Sequence, residues 1–250
     1  EITKQHFLAI LVNTPADIIP IGFLCLSQLR PAQEGIELGI GTQGIQGAVA
    51  TATGSKLTRV RTLVQELGDI GKAAQELKGS QKQLDSFFGK TKKDLTVAGV
   101  YKTLIQIANM KGDKSTNARN QLAQNLLVSA KDEEIKFIVR ILEGKLRIGV
   151  AESNFLKAFG RAFREYSYYT QAMEKPSEDD LDFAAKTFKH LYYCRPTIDY
   201  ILTHFLTKGY DPDGIKITPG VPVKSMLAKP AHSSEELIKR IPNQNRITGE

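Results

Sequence analysis

Apolar side chains recur every three or four residues through most of the first two hundred positions, and strictly alternating runs are nearly absent before residue 210. That spacing lines one stripe of a 3.6-residue helix, whereas a half-buried strand alternates with period two. After Thr96 the stripe is Val97, Val100, Tyr101, Leu104 and Ala108, and Gly112 closes it. Ser115 opens a second helix through Ala118, Leu122 and Leu126. Asp132 opens a third through Ile135, Ile138 and Leu142, with Glu133 and Glu134 at the positive end of its dipole. Ser177 and Asp180 cap a helix carrying Leu181, Ala184, Phe188 and Leu191, and Pro196 opens one with Ile201 and Phe205 that stops at Gly209. Near the start, Thr14, Pro15 and Asp17 combine a capping hydroxyl, a proline at the first helical position and an acid. They predict a helix over Ile18–Leu29, ended by Pro31. The expected fold class is all-α, a multi-helix domain over residues 1–210.

The texture changes after Gly209. Residues 210–250 hold five of the ten prolines, which predicts an extended segment leaving the helical body, interrupted by a short helix at Ser234–Arg240. The division is therefore 1–210 helical and 211–250 linker and extended tail.

With 250 residues, 41% hydrophobic and 24% charged, the chain can bury one large core or two modest ones. Its 34 Lys and Arg against 27 Asp and Glu give a net charge of +7, which suits a polyanion such as nucleic acid or an anionic membrane surface. No apolar run reaches the roughly eighteen residues a span requires; the richest, IIPIGFLCLSQL, is broken by Pro20, Gly22 and polar residues. The first residues lack an initiating Met and a secretory pattern, so the chain reads as a piece of a longer protein. Cys25 and Cys194, far apart and without a partner pattern, read as free thiols of a reducing compartment.

Several chemistries are disfavoured. GIGTQG at Gly39–Gly44 matches a dinucleotide fingerprint in letters only, because no β-rich run precedes it; it reads as a flexible helix connection. His6, His190, His204 and His232 lack ligand spacing, so no metal site is expected. No GxSxG elbow marks a hydrolase, and the acids Glu178, Asp179 and Asp180 read as a helix start.

The bases are better organised. Between Lys56 and Lys114 there are twelve Lys or Arg against six acids, set among Gly68, Gly71, Gly79, Gly89, Gly99 and Gly112, which read as helix-connecting glycines. Such a turn can present free amides and a cation to one phosphate. TGSKLTRVR, Thr53–Arg61, is one example and GKLRIG, Gly144–Gly149, another. In the latter, Lys145 and Arg147 supply charge, a helix begins near Ala151, and Phe155, Phe159 and Phe163 would bury that helix. On the residues alone the turn stands open between a plain connector and an anion socket.

GKLRIGVAE, Gly144–Glu152, resembles the signature near the end of the DNA-binding domain of eukaryotic ATP-dependent DNA ligases, those of the DNA ligase I type above all. PADIIPIGFLCLSQLRPAQEGIELGIG, TGSKLTRVR and GDIGKAAQ (Gly68–Gln75) follow the order of that family, so the likeness covers most of residues 1–210. ITPGVPVKSMLAKP, Ile217–Pro230, resembles the start of the family's adenylation domain, although a proline usually stands where this chain has Ser225. The resemblance implies an all-α domain that grips nicked double-stranded DNA through its phosphates. By match, the DNA-contacting residues are Gly144, Lys145, Leu146, Arg147, Ile148, Gly149, Val150, Ala151, Glu152, Ser153 and Asn154, with Lys56, Arg59 and Arg61 as weaker carry-overs. Glu250 matches the glutamate that helps hold the adenine of ATP, and the lysine that takes AMP is expected two residues further on. The family therefore implies a parent ligase using ATP and Mg2+ in the nucleus, no membrane, and a chain that by itself does not adenylate. A rival reading is a non-catalytic helical scaffold that binds a protein partner or an anionic surface.

Overall fold

The computed structural model describes residues 2–85, 94–112, 115–225 and 233. Among these, eleven α-helices and no strand are found. The all-α class is correct. Glu250, Gly89 and the helix expected at Ser234–Arg240 lie outside the described residues.

Two hydrophobic cores organise the helices. The first is built by α3 (Thr42–Thr53), α4 (Leu57–Leu67), α5 (Ile70–Asp85), α6 (Val97–Asn109), α7 (Ser115–Ser129) and α8 (Asp132–Glu143), around Val49, Val60, Leu104, Leu127 and Ile135. The second gathers α1 (Ile2–Asn13), α2 (Ile18–Cys25), α9 (Glu152–Thr170), α10 (Glu178–Cys194) and α11 (Ile198–Lys208) around Phe7, Phe23, Phe159, Phe188 and Phe205. Phe155, Phe159 and Phe163 are buried as the four-residue spacing predicts, and Phe7 stacks on Phe159 with ring centroids 4.0 Å apart. Tyr101 of α6 packs against both cores, and its hydroxyl donates to the Leu29 carbonyl at 2.6 Å.

Close helix approach explains several glycines. A Cβ on Gly160 would meet the backbone carbonyl of Ala184 and, at 2.8 Å, Cβ of Phe188, so α9 and α10 touch where only a hydrogen fits. The acid run does start α10: Ser177 Oγ accepts from the Asp180 amide at 3.2 Å. It also ties α10 to α9, with Arg164 Nε 2.9 Å from Asp180 and Arg161 bonded to both Glu178 and Asp182.

Several boundaries differ from expectation. Thr14 makes no side-chain cap; its carbonyl accepts from the Asp17 amide, and Pro15–Asp17 form a single 3-10 turn before α2. That helix ends at Cys25, not Leu29, because Ser27 turns left-handed at φ 53° and the Gln28 amide closes back on the Phe23 carbonyl. GIGTQG is a connection only in part, since α3 begins at Thr42. Gly71 and Gly79 lie inside α5 and Gly99 inside α6, so they connect nothing. Burial of the surrounding apolar stripes outweighs the roughly 1 kcal/mol that a glycine costs a helix interior. Nothing in the spacing of residues 2–13 predicts α1, because the apolar run FLAILV goes all round the helix, not along one face. Beyond Lys208 the described chain runs without helix to Ser225, as the prolines predict.

Candidate nucleic-acid interface

The GKLRIG turn joins α8 of the first core to α9 of the second, and so lies on the seam between them. Gly144 caps α8 in the left-handed region at φ 76°, with its amide on the Ile141 carbonyl and the Lys145 amide on the Arg140 carbonyl, both at 2.9 Å. Gly149 is left-handed too, at φ 71°. Between them Arg147 takes φ 50°, a conformation that costs a non-glycine residue roughly 1–2 kcal/mol.

Side chains from α5 and α8 hold that strained backbone. Arg140, 6% exposed, sends Nη2 to Asp69 Oδ2 at 2.8 Å, while its Nη1 donates to the carbonyls of Leu146 and Arg147 at 3.3 and 3.4 Å. Asp69 is also 6% exposed and caps α5, accepting from the Lys72 amide at 2.9 Å. Burial pushes the Asp69 carboxyl upward, yet bonds from Arg140 and the Lys72 amide outweigh it and hold the group below the usual carboxylate range. Gly71 makes the approach possible: a Cβ there would lie 2.6 Å from the Lys136 carbonyl and 3.0 Å from Arg140 Cγ. GDIG thus reads as a left-handed α4 cap at Gly68, a helix cap that is also an ion-pair partner at Asp69, and a contact point at Gly71.

Arg147 folds back over the same junction. Its Nη1 donates to the Gly68 carbonyl at 2.7 Å and its Nη2 to Glu143 Oε1 at 3.2 Å, with Asp69 at 3.8 Å. The guanidinium is therefore shared between holding α4 to the turn and facing solvent. Lys145 is exposed and has no ion-pair partner among the described residues. Ala151 offers α9 no side-chain cap, and Ser153 and Asn154 follow on its first turn. Glu152 pairs with Lys224, whose own amide bonds the Tyr193 carbonyl at 2.8 Å, tethering the extended segment beside the turn. Leu146 through Glu152 face Cys25, Leu26, Ser27 and Phe155 across an open groove of about 350 Å³. Burial raises the Cys25 thiol to about 12, so it is a packing group and no nucleophile at neutral pH.

Lys56, at the N-cap of α4, and Arg59 and Arg61 on that helix are all exposed, and the helix ends at the Gly68 that Arg147 grips. Eleven residues span about 16 Å, so these bases and the turn stand along one helix length. Sequence reasoning gathered most of these residues but missed Asp69 and Arg140. The signal for Arg140 was a lone arginine inside the apolar run FIVRIL, Phe137–Leu142.

A family model described as DNA ligase N terminus matches residues 1–160. The chain belongs to that family. DNA ligase 1 of Schizosaccharomyces pombe is 31% identical over 240 residues, covering 95% of this chain and 30% of the relative. DNA ligase 1 of Arabidopsis thaliana is 33% identical over 96% of the chain and 30% of its own length. DNA ligase 2 of Thermofilum pendens is also 33% identical, over 95% of the chain and 38% of its own. The chain thus spans about a third of the length of the DNA ligases it matches. No helix of the described residues is long and apolar enough to cross a membrane.

Proposed function

We propose that this chain is the DNA-binding part of an ATP-dependent ligase and grips the sugar-phosphate backbone of a nicked duplex through the GKLRIG turn and the bases of α4. One arrangement carries the reading: a turn braced by a buried ion pair holds Lys145, which has no ion-pair partner among the described residues, in solvent, and the helix it clasps carries Arg59 and Arg61 with Lys56 at its N-cap. Cations and amides aimed at phosphates fix position and register without reading bases, so binding should be indifferent to sequence and steeply salt-dependent. Residues Leu146 to Asn154 would lie along the strand, Gly149 and Ala151 giving close approach and the start of α9 offering amides.

In this reading residues 1–210 are the DNA-binding domain and 211–250 begin the adenylation domain. The whole enzyme would seal 3′-hydroxyl/5′-phosphate nicks in the nucleus during replication, repair and recombination, using ATP and Mg2+. The described residues contain no group of three His, Cys, Asp or Glu able to hold a metal ion. The nucleophilic lysine is assigned beyond Glu250, and this chain alone should take up no AMP. Fluorescence anisotropy with a labelled nicked duplex at low salt tests the reading; absence of binding there refutes it.

A further inference from the structure

Arg140 and Asp69 are too deeply buried to touch DNA, yet they determine which way the turn's backbone faces. The Arg140 guanidinium sits beneath the turn and draws in two successive carbonyls, those of Leu146 and Arg147. A trans peptide is planar, with its N–H directed opposite its C=O. The two peptide units whose carbonyls point down at Arg140 therefore turn the N–H groups of Arg147 and Ile148 away from it, toward solvent. Among the described residues neither N–H has an acceptor, and both residues are exposed. Two consecutive outward amides, two and three residues from Lys145, which has no ion-pair partner among the described residues, are a donor pair of the kind that accepts a phosphate oxygen.

We propose that Asp69 and Arg140 are positioning residues for DNA binding: their buried pair fixes the turn so that the amides of Arg147 and Ile148 receive one backbone phosphate. This rests on the reading that the turn binds duplex DNA. The left-handed φ of Arg147 is the conformation that brings both carbonyls to one guanidinium, and Gly71 lets α5 come close enough for Asp69 to orient that guanidinium. Arginine is required because its fork reaches the carboxylate and both carbonyls at once; a lysine ammonium keeps the charge and loses the fork.

The test uses Arg140→Lys and Asp69→Asn in the 250-residue chain, with nicked duplex as ligand and fraction folded measured alongside. The expected result for folded Arg140→Lys is an affinity about tenfold weaker with an unchanged log-log salt slope, since geometry and no phosphate-facing cation is lost. A residue that only stabilises the fold would lower the melting temperature and leave the dissociation constant of the folded protein at the wild-type value. That outcome overturns the proposal. Where the variants fail to fold, amide chemical shifts in the wild type decide: Arg147 and Ile148 should shift downfield as nicked duplex is added, and still amides would refute the assignment. Failure of the DNA reading itself looks different, because the wild type then binds no duplex at all.

Discussion

Replacing Asp69 by Asn keeps a helix cap of the same shape for the Lys72 amide but strips the charge opposite Arg140, leaving a guanidinium with a side chain only 7% exposed and no nearby acid except Glu143, which is already bonded to Arg147. Breaking one side of a buried pair costs roughly 3–5 kcal/mol, because the remaining charge is left dehydrated and uncompensated. The lower figure is expected here, since Asn retains neutral hydrogen bonds and Arg140 keeps its two carbonyl acceptors. Against a total of about 5–15 kcal/mol for an ordinary domain, this brings the fold close to its limit. Urea unfolding followed by circular dichroism, run on Asp69→Asn, Arg140→Met and the double variant, measures the coupling. The double variant carries neither stranded charge, so it should be less destabilised than the two singles summed by about 2 kcal/mol, within the range seen for contacting residues. Coupling below about 0.5 kcal/mol would show the pair to be energetically independent and remove it as the brace of the turn.

The same pair sets a pH dependence. Asp69 is held below its ordinary value when folded, so its contribution is present above about pH 4, the unfolded carboxyl value, and is lost as pH falls through the lower folded value. The stability gap between wild type and Asp69→Asn should be constant from pH 5 to 7, about a unit or more above that carboxyl value, and close on acidification; a gap that widens in acid contradicts the assignment. Gly160→Ala forces a methyl against the Ala184 carbonyl and should destabilise by about 1–3 kcal/mol in thermal melts, leaving the salt slope of DNA binding untouched. Lys145→Ala should flatten that slope by about one unit, whereas Arg147→Ala, whose charge is already met by Glu143 and Asp69, should flatten it less while weakening affinity through the turn. Equal slope changes for the two would show that Arg147 leaves its acids to meet phosphate. Incubating the chain with ATP labelled at the α-phosphate should give no label on the protein, and a labelled band would place a nucleophilic lysine inside these residues.

Much of the fold was written in the chain in a form that elementary periodicity can read. Where an apolar stripe is narrow and flanked by caps, as from Thr96 to Asn109 or Ser177 to Cys194, the helix falls where the pattern puts it. The stripe is hard to see in α1, where the apolar run FLAILV surrounds a helix buried only at Lys4, Phe7 and Leu11, and in α3, where the buried stripe Ile45, Ala48, Val49 and Ala52 is half alanine. The glycines misled for a related reason. A glycine that permits close packing and one that turns the chain look alike in sequence, and only the neighbour at Gly71 or Gly160 tells which it is. The candidate turn was legible because Lys145, Arg147 and two glycines are contiguous. Its brace was not, because Asp69 and Arg140 are seventy-one residues apart and meet only when α5 packs on α8.

The central claim is that exposed bases on α4 and the turn bind duplex backbone together. The salt dependence of nicked-duplex affinity, measured for the wild type and for a variant with Lys56, Arg59, Arg61 and Lys145 all changed to Ala, tests it most directly. Each phosphate contact carries about 0.9 of a unit, so the log-log slope should fall by up to about 3.6 units while the variant stays folded. A folded variant whose slope and affinity match the wild type would contradict the account.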